Sequence, residues 1–357
     1  MTKNRHYQLK PIFDFTIVLM YTFFFAGTTL VSNIQEHVDA INNLLNKNTE
    51  YFPFFMESPT LLIVASYLKI SNIESFSLFL FLFLLTILFL IVLSSQFLGN
   101  LNYVFLFSGW IITINWWVGY VDIILVLTTL VTLRFLTVSP SNPIIFALCL
   151  IASFSHLPIH FFIMLNILIL FTDRLNLKNF LYILTGTLSG AILNKIYLSS
   201  INVSNYKRLD HLISYEGVSD SLKSLSNNNI QVFYSGFSSA FFVFICFIYF
   251  SYLRKDNSLL KVYFSIFVSL LSAGLGLDTS RIFSLVIIPL IVWVLINVDI
   301  LRKEKYFKQI LFFSFLIYFI IGPIHVWDNN VFYNSPFQDF YIFEYLMPQV
   351  WYLLDFL

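Results

Sequence analysis

The sequence predicts an all-α protein, a polytopic transmembrane helical bundle of about eleven spans, within a range of ten to twelve. Three observations predict this fold class. The 357 residues are 58% hydrophobic and 11% charged, with a mean hydropathy of +0.81, whereas about a quarter of the residues in soluble domains are charged. Apolar runs near the 20 residues that cross a bilayer core recur throughout, and polar or helix-breaking residues separate them. We expect residues 1–357 to form a single integral membrane domain.

Each apolar run is assigned to one span. Three consecutive pairs of spans are interrupted by the sequences INWWVGYVD, SHLPIH and GLGLDTSR, and we interpret each pair as two shortened helices that meet at one face. Shortened helices are allowed where the protein shields their ends. The predicted spans lie near residues 11–31, 75–97, 103–117, 119–135, 143–156, 157–172, 180–199, 232–252, 260–276, 282–298 and 307–324.

Charge placement predicts the orientation of the bundle. With the N-terminus inside, the inner segments hold most of the 20 Lys and Arg residues, although the outer segments are longer in total. This bias follows the positive-inside rule. We therefore expect extracytoplasmic segments at about 32–74, 200–231 and 325–357. The last segment has the aromatic, amphipathic composition of an interfacial helix, with a twelfth span as the alternative.

Several function classes are disfavoured. The predicted inner loops are about ten residues or shorter, which leaves no room for a nucleotide-binding domain. A net charge of +1 gives no indication of a nucleic-acid partner. Cys149 and Cys246 lie inside apolar runs without metal-ligand spacing, so we interpret both as small buried side chains. We expect no metal and no cofactor.

Three charges fall inside or at the ends of apolar runs, where an unpaired charge costs several kcal/mol. They are Asp122, Asp278 and Arg281. Asp278 and Arg281 are three positions apart, so in a helical turn they can form a structural ion pair. In the functional alternative, Arg281 and the N-terminal dipole of the following helix bind an anion at the membrane edge, such as the phosphate of a lipid carrier.

Two histidines, His156 and His160, lie at the junction of the second interrupted pair. A neutral imidazole there could accept a proton from a hydroxyl group, although a histidine with a backbone partner would explain them equally well. The segment 57–71 is too short to span and too apolar to be solvated, which favours a re-entrant or interfacial position.

Further polar candidates lie in the predicted outer segments. The loop sequence SNYKRLDHLISYEG could hold a second anionic group, or its charges could simply be solvated; it contains Lys207, Arg208, Asp210 and His211. Directly after the first span, SNIQEHVDAINNLL has the period of an amphipathic surface helix, and Asp39 lies on it.

Short inner loops, an acidic surface helix, short paired helices and an outer loop with arginine together resemble a known family. The chain resembles the multispan bacterial glycosyltransferases with a GT-C-like fold, including the Wzy-type O-antigen and capsular polysaccharide polymerases. The resemblance covers the whole chain in architecture. It is carried in sequence by LDTSRIF, FSHLPIH and NYKRLDH.

The resemblance implies a function in surface polysaccharide assembly at the outer face of the bacterial cytoplasmic (inner) membrane. A polyprenyl carrier such as undecaprenyl would present a saccharide on its phosphate or diphosphate, and a chain-length regulator is a further partner that it implies. The candidate catalytic residues are then Asp39, His156 and Asp278. The carrier phosphates would be bound by Arg281, Arg208, Lys207 and His211.

Other functions stay open at this point. A transferase that adds one sugar from a polyprenyl-phosphate donor would use the same groups. A flippase or transporter for a lipid-linked saccharide would account for the broken helices, although no repeat relates the two halves. A membrane acyltransferase is less favoured, because it would call for His and Arg near the first span.

Overall fold

The computed structural model of the chain describes residues 2–22, 34–46, 58–116, 120–138, 142–201, 215–275, 278–298, 301, 306–327 and 330–333. These residues are almost entirely helical, as predicted. The helices are α1 (Thr2–Tyr21), α2 (Ile34–Asn46), α3 (Thr60–Tyr67), α4 (Ile73–Ser95), α5 (Asn102–Leu106), α6 (Gly109–Trp116), α7 (Asp122–Val138), α8 (Ile144–Leu170), α9 (Leu177–Ser200), α10 (Tyr215–Asn227), α11 (Asn229–Phe237), α12 (Phe241–Leu253), α13 (Ser258–Ala273), α14 (Thr279–Val286), α15 (Ile288–Ile296) and α16 (Phe307–Ile321). Three 3-10 segments join them, at Gln96–Leu101, Thr172–Arg174 and Ser238–Ala240.

A short β-hairpin follows α16 and was not predicted. Strand β1 (Ile324–Trp327) pairs antiparallel with β2 (Asn330–Tyr333). In its sequence, IHVWDNNVFY, the two turn-prone residues Asp-Asn separate two β-prone runs, a pattern that could have been recognised. The interfacial helix predicted for the C-terminal tail lies outside the described residues.

Four stretches of the described chain are long and apolar enough to cross a membrane, judged by length and composition. Many large apolar side chains on these and the shorter apolar helices are exposed, including those of Phe267, Phe312 and Ile320. Exposed apolar surface on this scale marks a membrane-facing exterior. The four stretches are Ile73–Leu106, Ile144–Leu170, Asn229–Leu253 and Thr279–Ile296.

Helix α8 folds back on itself at His156, as the interrupted pair at SHLPIH predicts. The Cys149 and Met164 sulfur atoms are 3.9 Å apart, whereas fifteen positions of a straight helix span about 22 Å. His156 has an extended backbone (φ −157°, ψ 83°), and Pro158 follows it. Residues 144–155 and 157–170 are therefore two adjacent arms.

Helix α9 packs closely against the first arm of α8. A Cβ atom at Gly186 or Gly190 would lie 2.5 Å from a carbonyl oxygen of that arm, so only glycine allows the approach. This spacing of small residues four apart is typical of membrane helix pairs. Near the break, Asn194 donates a hydrogen bond to the Phe154 carbonyl oxygen at 3.0 Å.

The predicted span over 232–252 lies within one of the four membrane-crossing stretches, Asn229–Leu253, but the chain bends sharply at Ser238, so it is not one straight helix. The Phe233 and Phe244 rings are 5.9 Å apart, whereas eleven positions of a straight helix span about 16 Å. Ser238 has a positive φ of 45°. The bend packs against the break between α5 and α6, where a Cβ atom at Gly109 would overlap the Ser235 carbonyl oxygen.

A buried carboxylate holds α1 against a third break, which follows α4. Gly99, with φ 64°, reverses the path of the chain there. Asp14 of α1 accepts hydrogen bonds from the amide groups of Gln96 and Asn102, each at 2.9 Å, and from the Tyr103 hydroxyl. These donors compensate for burying the carboxylate, since a buried charge is tolerated only when it is bonded.

Candidate functional site

Helix α14 lies at the centre of the bundle, packed against α11, α13, α6 and α8. Arg281, in its first turn, forms a buried ion pair with Asp122, in the first turn of α7. Arg281 Nε donates to Asp122 Oδ2 at 2.5 Å, and Nη2 donates to Oδ1 at 3.1 Å. The two side chains are 6% and 1% exposed. This bidentate geometry is the strongest form of the Arg–carboxylate contact.

Asp278 is the second carboxylate on the same guanidinium. Arg281 Nη1 donates to Asp278 Oδ2 at 3.1 Å, so the ion pair predicted from the three-residue spacing is present. The Asp278 side chain is 14% exposed, more than either Asp122 or Arg281. Asp278 therefore has a more exposed side chain than the other two, although its Oδ1 atom is itself buried.

His325 of strand β1 completes the cluster. Its Nε2 lies 3.4 Å from Asp278 Oδ1, and its Nδ1 lies 3.0 Å from the Ser280 hydroxyl. Ser280 also accepts a hydrogen bond from the Val326 backbone N–H at 2.8 Å, which attaches the hairpin to the start of α14. The imidazole is thus held between a serine and a carboxylate.

One aromatic ring lies against Arg281, and a second lies near that ring. Its guanidinium carbon lies 4.4 Å from the centre of the Tyr120 ring, within the range of a cation–π contact. The His37 ring, on the buried face of α2, lies 6.3 Å from Tyr120. Helix α2 therefore approaches Tyr120, and through it the charged cluster, with a histidine.

The charge count of the cluster is unbalanced. Asp122 and Asp278 carry two negative charges, and Arg281 carries one positive charge. The N-terminal dipoles of α7 and α14 offset part of the excess, because carboxylates are stabilised at helix N-termini.

The other candidate residues lie elsewhere in the fold. Asp39 is on the exposed face of α2, where Gln35 donates to it at 2.8 Å, while the buried face of that helix carries His37. His156 is buried at the break of α8, and His160 lies 3.1 Å from the Thr187 hydroxyl of α9. Lys207, Arg208 and His211 belong to residues 202–214, outside the described part of the chain.

Sequence reasoning missed Tyr120, Ser280 and His325 as members of the cluster. Asp122 was singled out for its position at the start of an apolar run, but its partner was not identified. The sequence signal for Asp122 was that it is a charged residue at the first position of an apolar run, where a buried partner is needed. Among the described residues, no group of three His, Cys, Asp or Glu is arranged to hold a metal ion.

The charged cluster lies at one end of the bundle. The continuous helix of α14 and α15 runs from it over 18 residues, about 27 Å, to a second group of charges near Asn297. That length is close to the thickness of a bilayer core. In comparisons with known proteins, no protein-family model matches the sequence, and no curated protein and no solved structure matches it.

Proposed function

We propose that this protein is a membrane glycosyltransferase of surface polysaccharide assembly, acting on polyprenyl-linked saccharides at the outer face of the bacterial cytoplasmic membrane. The polymerisation of O-antigen or capsule repeats is the first activity to test. The observation that carries the proposal is the buried cluster of Asp122, Arg281, Asp278 and His325 at the start of two apolar helices. The GT-C-like arrangement and about eleven spans belong to the same proposal.

The reaction needs a base next to a membrane-embedded donor. The acceptor hydroxyl oxygen bonds to the anomeric carbon, the bond from that carbon to the carrier phosphate breaks, and the hydroxyl proton leaves to a base. We assign this role to Asp278 because its side chain has the largest exposed fraction among Asp122, Arg281, Asp278 and His325. Arg281 keeps Asp278 ionised and oriented, while Asp122 anchors Arg281.

The carrier phosphate requires cations of its own. Three of the five N–H donors of Arg281 bind carboxylate oxygens, which leaves two that can meet a phosphate oxygen. Lys207, Arg208 and His211 remain the other proposed phosphate ligands on the strength of the sequence. Asp39 and His156 remain proposed catalytic residues, but neither belongs to the charged cluster that contains Asp278.

The test is a gel of surface polysaccharide from bacterial cells lacking the protein, complemented with the wild type, Asp278→Asn or Arg281→Lys. Asp220→Asn is the matched control, since Asp220 is an exposed carboxylate of α10 that is not a member of the cluster. For a polymerase, we expect Asp278→Asn to collapse the ladder to single repeats at normal protein level, while the control keeps it. A normal ladder in cells lacking the protein would refute the proposal.

A flippase for a lipid-linked saccharide is the second candidate. The observation in its favour is the set of breaks at Gly99, His156 and Ser238, because helices broken within the membrane are common in transporters. A flippase variant would accumulate complete lipid-linked repeats in the inner leaflet and lose the polysaccharide altogether. A polymerase variant would still export single repeats.

A further inference from the structure

A cavity of about 600 Å³ lies at the end of the bundle opposite the charged cluster. It is formed where α8, α12 and α15 end and where α13 begins. Three cations line it, each from a different segment: Arg174, Arg254 and Lys261. All three belong to the side that the positive-inside rule places in the cytoplasm. The cavity is large enough for a small polar group, since ligand sites usually measure about 300–1,000 Å³.

The charges of the cavity are partly matched within the protein. Lys261 Nζ lies 2.5 Å from Asp173 Oδ2, and Asp256 Oδ1 accepts the Ser258 backbone N–H at 2.9 Å. The cavity is also lined by two guanidinium groups, those of Arg174 and Arg254. Arg254 has an interaction within the protein, and a guanidinium group carries five N–H donors. Guanidinium groups match the oxygens of a phosphate in geometry and carry several donors each.

Stabilisation of helix C-termini would explain some of these cations. Arg174 and Arg254 follow the ends of α8 and α12, where positive charge complements the helix dipole. That account does not explain Ser258. Its hydroxyl oxygen is buried and has no hydrogen-bond partner among the described residues, although Ser258 lines the cavity. A buried hydroxyl without a partner is destabilising, and an oxygen atom of a bound ligand would supply the partner.

The surroundings of the cavity fit a lipid. Phe247, Trp293 and Ile296 form its apolar wall, with the Phe247 and Trp293 rings in edge contact at 5.8 Å. Leu253 and Leu260 lie next to the lining residues Arg254 and Lys261 along the chain and are largely exposed. An acyl chain could therefore lie along the bundle beside a headgroup held in the cavity.

We propose that this cavity binds the phosphodiester headgroup of a membrane phospholipid. Arg174 and Arg254 donate hydrogen bonds to the phosphate oxygens, and the Ser258 hydroxyl donates a further one. The lipid holds together the ends of four helices, so it stabilises the fold from the basic end. The proposal does not depend on the enzymatic function, because it concerns the opposite end of the bundle.

The test uses the full chain purified in a maltoside detergent free of phospholipid. Thermal unfolding is followed as phosphatidylglycerol, phosphatidylethanolamine, a galactolipid or inorganic phosphate is added, and native mass spectrometry counts the retained lipid. The variants are Arg174→Ala with Arg254→Ala, and Ser258→Ala. Arg134→Ala is the matched control, since Arg134 is an exposed arginine of α7 that does not line the cavity.

We expect either phospholipid to raise the unfolding temperature of the wild type and of the control, with the galactolipid without effect. The double arginine variant should bind phospholipid at least about tenfold more weakly, because it loses the charge-assisted hydrogen bonds of two guanidinium groups. An equal effect of the galactolipid, or equal lipid binding by the double variant, would overturn the proposal. A full effect of inorganic phosphate alone would replace it with a free-phosphate site.

Discussion

Replacing Arg281 with methionine tests the charged cluster most directly. The substitution keeps much of the side-chain volume but leaves Asp122 and Asp278 without their shared cation. Asp122 is almost fully buried, and removing one partner of a buried ion pair costs about 3–5 kcal/mol. Asp278 is more exposed and keeps its contact with His325. Removing Arg281 from Asp278 therefore adds little to this cost.

The companion substitutions should cost less, in a definite order. Asp122→Asn leaves Arg281 paired with Asp278, one positive charge with one negative charge. We therefore expect a loss of about 2–3 kcal/mol in the free energy of unfolding, less than the full cost of breaking a buried ion pair. Asp278→Asn removes the more exposed carboxylate and should cost about 1 kcal/mol. The expected order of destabilisation is therefore Arg281→Met, then Asp122→Asn, then Asp278→Asn.

The assay is thermal unfolding of the purified protein in detergent, followed by intrinsic fluorescence. At roughly 2 °C per kcal/mol, Arg281→Met should lower the unfolding temperature by about 6–10 °C. Arg134→Met, at an exposed position of α7, should change the free energy of unfolding by less than about 0.5 kcal/mol. If Arg281→Met unfolds at the wild-type temperature, or if Asp278→Asn is the most damaging variant, Arg281 does not stabilise the fold as the shared cation of the two carboxylates.

Three further substitutions test other parts of the fold. Gly109→Ala should destabilise by about 3 kcal/mol or more through overpacking against the Ser235 carbonyl group, seen as a lower unfolding temperature. Asp14→Ala should cost about 1–3 kcal/mol by leaving the buried Asn102 amide and the partly buried Tyr103 hydroxyl without their acceptor, and Asp14→Asn should recover part of this in the same assay. Lys261→Met removes the hydrogen bond that lowers the pKa of Asp173. The small destabilisation caused by Lys261→Met should be largest at pH 7. It should disappear as the pH falls through the pKa of Asp173, below about 3.9. Unfolding curves recorded at several pH values measure it.

The sequence predicted the helical content and several helix breaks for a physical reason. Polar residues within an apolar run cost free energy unless the chain is interrupted there, so SHLPIH and GLGLDTSR were visible as junctions. The bend at Ser238 was missed because Ser, Gly and Ala are compatible with a continuous membrane helix. The cluster SGFSSA, five small residues in six, was nevertheless a signal of close packing.

The composition of the site was less predictable than the breaks. The pair of Asp278 and Arg281 follows from their spacing along one helix, and it was anticipated as one of two alternatives. The contact of Arg281 with Asp122 joins positions 159 apart, and it depends on how α7 and α14 pack. His325 reaches the cluster through a hairpin that the hydropathy pattern does not reveal, since its strands are only four residues long.

The folded-back shape of α8 has a consequence for the surrounding bilayer. Its arms, residues 144–155 and 157–170, are about 18 and 21 Å long, whereas the hydrocarbon core is about 30 Å thick. The hairpin therefore spans only part of the core depth, and the protein itself covers its tip: the Thr60 hydroxyl of α3 lies 2.7 Å from the Ser155 hydroxyl, and His156 is 6% exposed. Helix α3 thus supplies protein, in place of lipid, above the short arms, which is the condition under which shortened helices are tolerated within a membrane.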